Sequence, residues 1–339
     1  MDVQPNNERV DGGIGGIAQL LQERLSPRAI FLLRRLGRLA VSLLIVVLAT
    51  FFVVHLVPGD PVRAALGPSA TAEHVELTRA SLGLDKPIFV QFADFVGGLL
   101  HGDLGTSIQT QQAVADVVSR RFPTTLALAG LGFIVALLGA LSLGMGAALS
   151  IRSGKGRMRS SVISGILGIL IAVPDFLVSV GLIAVFSVGI GLLPPAGWGE
   201  ADTAILPVLA VALGPMAYLA RIVQVEMIKV LDSTYIATAR AKRLPQRVIL
   251  MRHALPNIVT ATLTVGGLVL GGLVASTVVI ETVFAIPGLG TTVVSAVGAK
   301  DYPMTQGVVL VFALMVLAVN LAVDLILITI DPRTSISEG

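Results

Sequence analysis

Long runs without a single charge constrain this chain more than any other feature. Pro123 to Ile151 is one such run, and Leu39 to Val57 holds His55 as its one titratable side chain. A helix crosses the hydrocarbon core of a bilayer with about 20 consecutive apolar residues. In lipid each backbone N–H and C=O must be paired within the protein, so such runs fold as helices. Of the 339 residues 54% are hydrophobic and 13% charged, whereas soluble domains carry roughly 25% charged residues. The expected fold class is an all-α membrane protein with six transmembrane helices. No Cys is present, which excludes a disulfide framework and a thiolate metal site. Lys and Arg number 24 against 21 Asp and Glu, and they gather in short loops between apolar runs. That is the positive-inside pattern, so the basic balance speaks of topology and not of nucleic acid.

Residues 1–33 are expected to form a cytoplasmic N-terminal extension. Arg24, Arg28, Arg34, Arg35 and Arg38 lead into the first span, and no small-residue cleavage site of a signal peptide stands there. Ile17 to Leu25 reads either as an interfacial amphipathic helix or as part of a disordered tail. The membrane region is taken as 34–333, with a short tail at 334–339. Span one, Leu39 to Val57, stops at Pro58-Gly59-Asp60-Pro61, a strong breaker cluster. His55 at its end reads as a snorkelling or capping group. Residues 58–122 form a long external cap loop. Thr71 can cap a helix running to Gly83, and Pro87 can open another reaching Gly97 or Gly102. The acids of this loop show no metal-binding spacing, so no metal site is expected.

Span two, Pro123 to Ile151, places Gly132, Ala136, Ala140, Gly144 and Ala148 at every fourth position. Such a small face lets another helix approach closely. Span three, Val162 to Leu192, is interrupted by Pro174-Asp175-Phe176. Asp175 there either faces a pathway or caps the second half of a kinked helix. Span four, Ala204 to Ala220, is short, and Arg221 opens a cytoplasmic section. Span five, Ile258 to Val283, repeats the small spacing at Gly267, Gly271 and Ala275. Leu289 to Val297 is too short to span, which suits a re-entrant or interfacial helix on the outer side. Glu281 before it lies near the outer mouth, where pairing or capping is favoured over gating. Span six, Met304 to Ile330, carries Asn320 and Asp324 four residues apart, on one helix face. An inter-helix polar contact is the favoured role, a substrate contact the second. Asp175, Glu281, Asn320 and Asp324 are thus the candidate pathway residues.

The short basic loops, 152–159 and 221–253, share a side with the N-terminus. The acidic or near-neutral loops, 193–202 and 286–303, lie opposite. Six spans then leave both termini cytoplasmic, in the cell membrane. Arg120 and Arg121 fall outside, in a loop of about 65 residues, where the rule weakens beyond roughly 60.

The polar section 232–257 interrupts the second half of the chain. Arg240, Lys242, Arg243, Arg247 and Arg252 stand there against Asp232. Ala, Arg and Lys favour helix, and Pro245 can open a new one. Two short helices are therefore expected to meet at Arg243-Leu244-Pro245, an elbow. Here the chain resembles the cytoplasmic coupling loop of ABC-importer membrane subunits. That loop's pattern runs Glu-Ala-Ala, three residues, Gly, nine residues, Ile, one residue, Leu-Pro. It falls on Ala237, Thr238 and Ala239, then Arg243, His253, and Leu255-Pro256. Ala239, Leu255 and Pro256 match, while the Glu, Gly and Ile do not. YIATARAK and RHALPN resemble the peptide and nickel branch of that family, in which Gly is expected where Arg243 stands. PGDP, LGLDKPIFVQF, GDLGTS, ETVFAIPGLG, AKDYP, NLAVD and DPR resemble the same branch, in the expected order, over residues 34–333.

The resemblance implies the transmembrane subunit of an ATP-driven importer, with peptides as the leading cargo and nickel chelates, glutathione or another small solute as alternatives. It implies a second homologous permease subunit, two ATP-binding subunits and an external substrate-binding protein as partners, besides membrane lipid. The coupling residues it implies are Tyr235, Ala237, Ala239, Arg240, Ala241, Lys242, Arg243, Leu244 and Pro245. No Gly-x-x-x-x-Gly-Lys-Ser/Thr loop occurs; Gly154-Lys155-Gly156 lacks the loop and the hydroxyl. The chain is thus expected to hold no cofactor and no catalytic residue, with ATP and Mg on its partners. A channel is the other class, but no filter-like sequence or charge ring is present. A membrane enzyme would need a cluster of acid, base, nucleophile or metal ligands, which four scattered His and no Cys do not supply.

Overall fold

The computed structural model describes residues 27–56, 60–152 and 157–330. The expected N-terminal extension and tail, apart from 27–33, lie outside them. The described residues are helical, with one isolated antiparallel bridge between Thr106 and Ala113. In chain order α1 is Pro27–Leu56, α2 Pro61–Leu66, α3 Ala72–Ser81, α4 Ile88–Leu100 and α5 Val114–Arg152. Then come α6 Arg157–Ala172, α7 Asp175–Leu182 with a π-helical continuation Ile183–Gly189, α8 Ala201–Leu231 and α9 Thr234–Ala241. Last are α10 Gln246–Val248 with a π-helical stretch Ile249–Ala254, α11 Leu255–Val283, α12 Leu289–Gly298 and α13 Tyr302–Ile330.

Among the described residues four helices are long and apolar enough to cross a membrane: Val114–Ile151, Ala201–Leu231, Gln246–Val283 and Tyr302–Val323. The pair Ser161–Ala172 and Asp175–Gly189 makes a fifth if taken as one crossing, but it bends by 108°. The expected third span is therefore a break and not a kink. Pro174 accounts for it: it cannot donate to the preceding turn, and it biases Val173 away from helical backbone. The apolar part of α1, Leu36–Phe52, is shorter than the four long spans.

Three other boundaries move, each because packing outweighs a local signal. α5 starts at Val114, not Pro123, and holds Pro123 inside the helix. Val114, Val117 and Val118 are buried against Leu289, Met304 and Val308. Burying such side chains stabilises by about 1.5–3 kcal/mol each, more together than the ~3 kcal/mol of an interior proline. α8 runs past Arg221 to Leu231, because Val223, Met227 and Leu231 continue its buried face at four-residue spacing. Gln246 to Val283 is one helical rod, so the second short helix of the expected elbow is the first turn of the fifth span.

The small face of α5 lies against α8. Gly132, Ala136, Ala140, Gly144 and Ala148 are all buried, and a Cβ on Gly144 would lie 2.5 Å from the Ala220 carbonyl oxygen. At the bundle centre Leu128, Leu206, Val211, Leu273, Ile280 and Phe284 form one buried cluster. Gly267 and Gly271 of α11 take α13 closely, beside Val323 and Asn320.

Helices α2 to α4 and the loop after them build the cap. Asp60 accepts from Val62 N at 3.0 Å, capping α2, and pairs with Arg79 at 2.5 Å. Thr71 caps α3 by accepting from His74 N at 3.3 Å. The cap is fastened to the bundle at Asp301, which is buried and accepts from the Ser107 hydroxyl, Ile108 N at 3.2 Å and Met304 N at 3.4 Å.

Candidate functional site

α9 owes its position to two residues. Ile236 and Ala239, three apart on one face, are buried with Val223, Met227 and Leu231 of α8, Ala148 of α5, and Ile249, Ala254 and Ile258. Ser233 sits at the N-cap in extended backbone, and its hydroxyl donates to the Val230 carbonyl at 2.5 Å. The opposite face carries Thr234, Tyr235, Ala237, Thr238, Arg240 and Ala241, all exposed. Tyr235 accepts a 3.3 Å hydrogen bond from Asn257, at the head of α11.

The C-terminal turn is a Schellman motif. Arg243 N donates to the Arg240 carbonyl at 2.8 Å, and Leu244 N to the Ala239 carbonyl at 3.3 Å. Arg243 occupies the left-handed position, φ 53°, which glycine usually fills. Arg243 thus makes the turn in which the resemblance expects Gly. Leu244 is half-buried and packs on the same cluster as Ile236. Pro245 follows at once and begins the fifth-span rod.

Of the nine coupling candidates, Tyr235, Ala237, Arg240, Ala241, Lys242, Arg243 and Pro245 are exposed and Leu244 is partly so. Ala239 is the exception: at 6% exposure it belongs to the chain's own core. Its position follows from helical geometry, since it shares the face of Ile236. The surface has basic groups at Arg240, Lys242, Arg243 and Arg247 around a small apolar centre.

The pathway candidates occupy separate surroundings. Asp175 is half-buried in the first turn of α7, and a Cβ on Gly214 of α8 would lie 3.4 Å from its Oδ1. Asn320 is half-buried beside Gly271. The side chain of Asp324 lies outside the described residues. Glu281 is fully buried. Its carboxyl accepts from the Thr125 hydroxyl at 2.6 Å, Gly290 N at 2.6 Å and Thr291 N at 3.2 Å. Thr125 in turn accepts from Leu289 N at 2.9 Å. The Glu281 carboxyl therefore receives the free N–H groups at the start of α12, the capping role a helix N-terminus asks for. Gly288 and Gly290 are needed there, because a Cβ on either would enter the space of the carboxyl.

Two residues of structural weight were not singled out from the sequence. Asp301 shows only a cap-like pattern before Pro303; its partners Ser107 and Ile108 lie far away in the chain. Thr125 carries no local signal, because its partners are set by tertiary packing. Among the described residues no group of His, Asp and Glu could hold a metal ion.

Residues 140–336 match the family described as binding-protein-dependent transport system inner membrane component. Residues 29–129 match the N-terminal region of such membrane components. The chain belongs to this family. The dipeptide transport system permease protein DppB of Lactococcus lactis subsp. cremoris is 34% identical over 309 residues, covering 89% of this chain and 98% of DppB. The glutathione transport system permease protein GsiC of Salmonella typhimurium is 36% identical over 303 residues, covering 89% of this chain and 97% of GsiC. A chain of the methionine ABC transporter MetNI, solved in inward-facing conformations, superposes with a TM-score of 0.54 at 19% identity, covering 63% of this chain and 96% of that one. That likeness shows the fold. The chain is a multi-pass inner-membrane permease subunit of an ABC importer, and such permeases work with ATPase and binding-protein partners.

Proposed function

We propose that this permease carries peptides, pairs with a second homologous permease subunit, and is driven by two ATP-binding subunits that hold ATP and Mg. The observation that carries the coupling role is the two-faced helix α9. One face is rooted among the ends of α5, α8 and α11, so a push on the other face moves those helices together. A rigid link of this kind lets partners that favour two states bias the membrane helices between two states. Six spans, with α1 as the first and α12 re-entrant on the outer side, leave both termini in the cytoplasm. The cap 58–122 is then external and meets the substrate-binding protein. Asp175, Asn320 and Asp324 are the pathway-facing candidates on this reading, and Glu281 positions α12. Peptide cargo is supported by relatives named for dipeptide and glutathione transport along nearly their whole length.

Uptake of labelled dipeptides and glutathione, in cells with and without the gene for this chain, tests the proposal. Loss of uptake of one of them, restored by the gene in trans, is expected. Unchanged uptake of both, with loss of some non-peptide solute, would defeat the peptide assignment.

A further inference from the structure

α4 is a 13-residue helix of mostly apolar side chains, yet none of its residues is buried. Its polar side is narrow. Gln91 donates to the Leu84 and Lys86 carbonyls at 3.3 and 2.7 Å, and Asp94 pairs with Lys86 at 2.7 Å. On the opposite side Phe89, Ala93, Val96 and Leu100 fall at i, i+4, i+7 and i+11, one straight stripe. Phe89 is 85% exposed and Leu100 82% exposed. Between the stripe and the polar side lie Phe92 and Phe95, whose rings sit 5.1 and 5.8 Å from that of Phe51 in α1. Phe51 also stacks edge-on with Phe52 at 5.5 Å, and Phe52 continues the exposed apolar surface of α1 formed by Val41, Leu44 and Ile45.

The apolar arc of α4 is thus continuous with the outward surface of a membrane helix. A water-facing docking site would have no reason to merge with that surface. We infer that α4 is an interfacial helix whose Phe89–Leu100 stripe is covered by the acyl chains of the outer leaflet, so that the cap is anchored in lipid as well as to the bundle. An amphipathic helix lying in the interface plane, polar side to water, has this arrangement of residues. The inference rests on α1 as the first span.

The test uses the full chain reconstituted in liposomes. Trp198 is the single tryptophan, so Trp198→Phe provides a dark background. Phe89→Trp is added in one protein and Ile45→Trp, in the exposed surface of α1, in a second. Lipids brominated along the acyl chain quench tryptophans in contact with them, and iodide quenches those in water. Both tryptophans are expected to lose roughly half or more of their emission to brominated lipid and little to iodide, as for an interfacial helix. Quenching of Ile45→Trp by lipid with Phe89→Trp quenched by iodide alone would overturn the anchoring of α4, and would leave its stripe to the binding protein. Iodide quenching of both would overturn the span itself along with the anchoring.

Discussion

At Arg243 a single backbone angle carries the end of α9. A non-glycine residue held at φ 53° bears a steric cost of about 1–2 kcal/mol. The Schellman hydrogen bonds and the seating of Leu244 hold it there. Arg243→Gly is therefore expected to raise the unfolding midpoint of the purified protein, by the equivalent of about 1 kcal/mol, with the elbow unchanged. Arg243→Val should lower it, and equal midpoints for the two variants would show that the angle is relaxed in solution. Glu281 is the second residue on which much depends. Glu281→Leu removes the acceptor of two backbone N–H groups and one hydroxyl in a buried place. Each orphaned group costs about 1–3 kcal/mol. Glu281→Gln keeps an acceptor oxygen and should be the milder change. Thermal unfolding in detergent reads the order, and a Leu variant as stable as the Gln variant would refute the capping role.

Between elements, the seam of α5 and α8 is a close approach through small residues. Gly144→Val would drive its side chain into the Ala220 carbonyl oxygen and Val223, and overpacking of this kind costs about 1–3 kcal/mol or more. Gly146, half a turn away, has nothing within 4 Å of an added Cβ. Gly146→Ala should leave stability unchanged or raise it by up to about 1 kcal/mol. Expression level and unfolding midpoint of the two variants check the seam, and equal losses would contradict it. This seam was legible in the sequence, because a four-residue repeat of Gly and Ala has one natural use in lipid. The short helix after Pro287-Gly288 was legible from its length. The lengths of α5 and α8 were not: Pro123 and Arg221 read as ends, and only buried partners from other parts of the chain outweigh them. The elbow was half legible. Its position and Pro245 followed from composition, whereas the burial of Ala239, a coupling residue by resemblance, follows only from its sharing the face of Ile236. A pairing or capping role for Glu281 was legible, but not its partners: Thr125, 156 residues away in the chain, could come only from the fold.

At the scale of the whole molecule the proposed function is a transmission: partner subunits would turn over ATP, and a push on α9 would carry α5, α8 and α11 with it. The exposed face of α9 offers two means of attachment, the small centre at Ala237 and Ala241 and the basic groups around it. An unpaired carboxylate inside a packed interface costs a few kcal/mol, whereas charges at a rim chiefly change association rates. The most direct measurement is recovery of the ATPase subunits with the affinity-tagged chain from its own cells. Wild type should bring them down, and Arg240→Gln with Arg247→Gln should nearly match it. Ala241→Asp should lose most of the ATPases while reaching the membrane at the wild-type level. Full recovery with Ala241→Asp, or loss with the double Gln variant alone, would contradict coupling through this face.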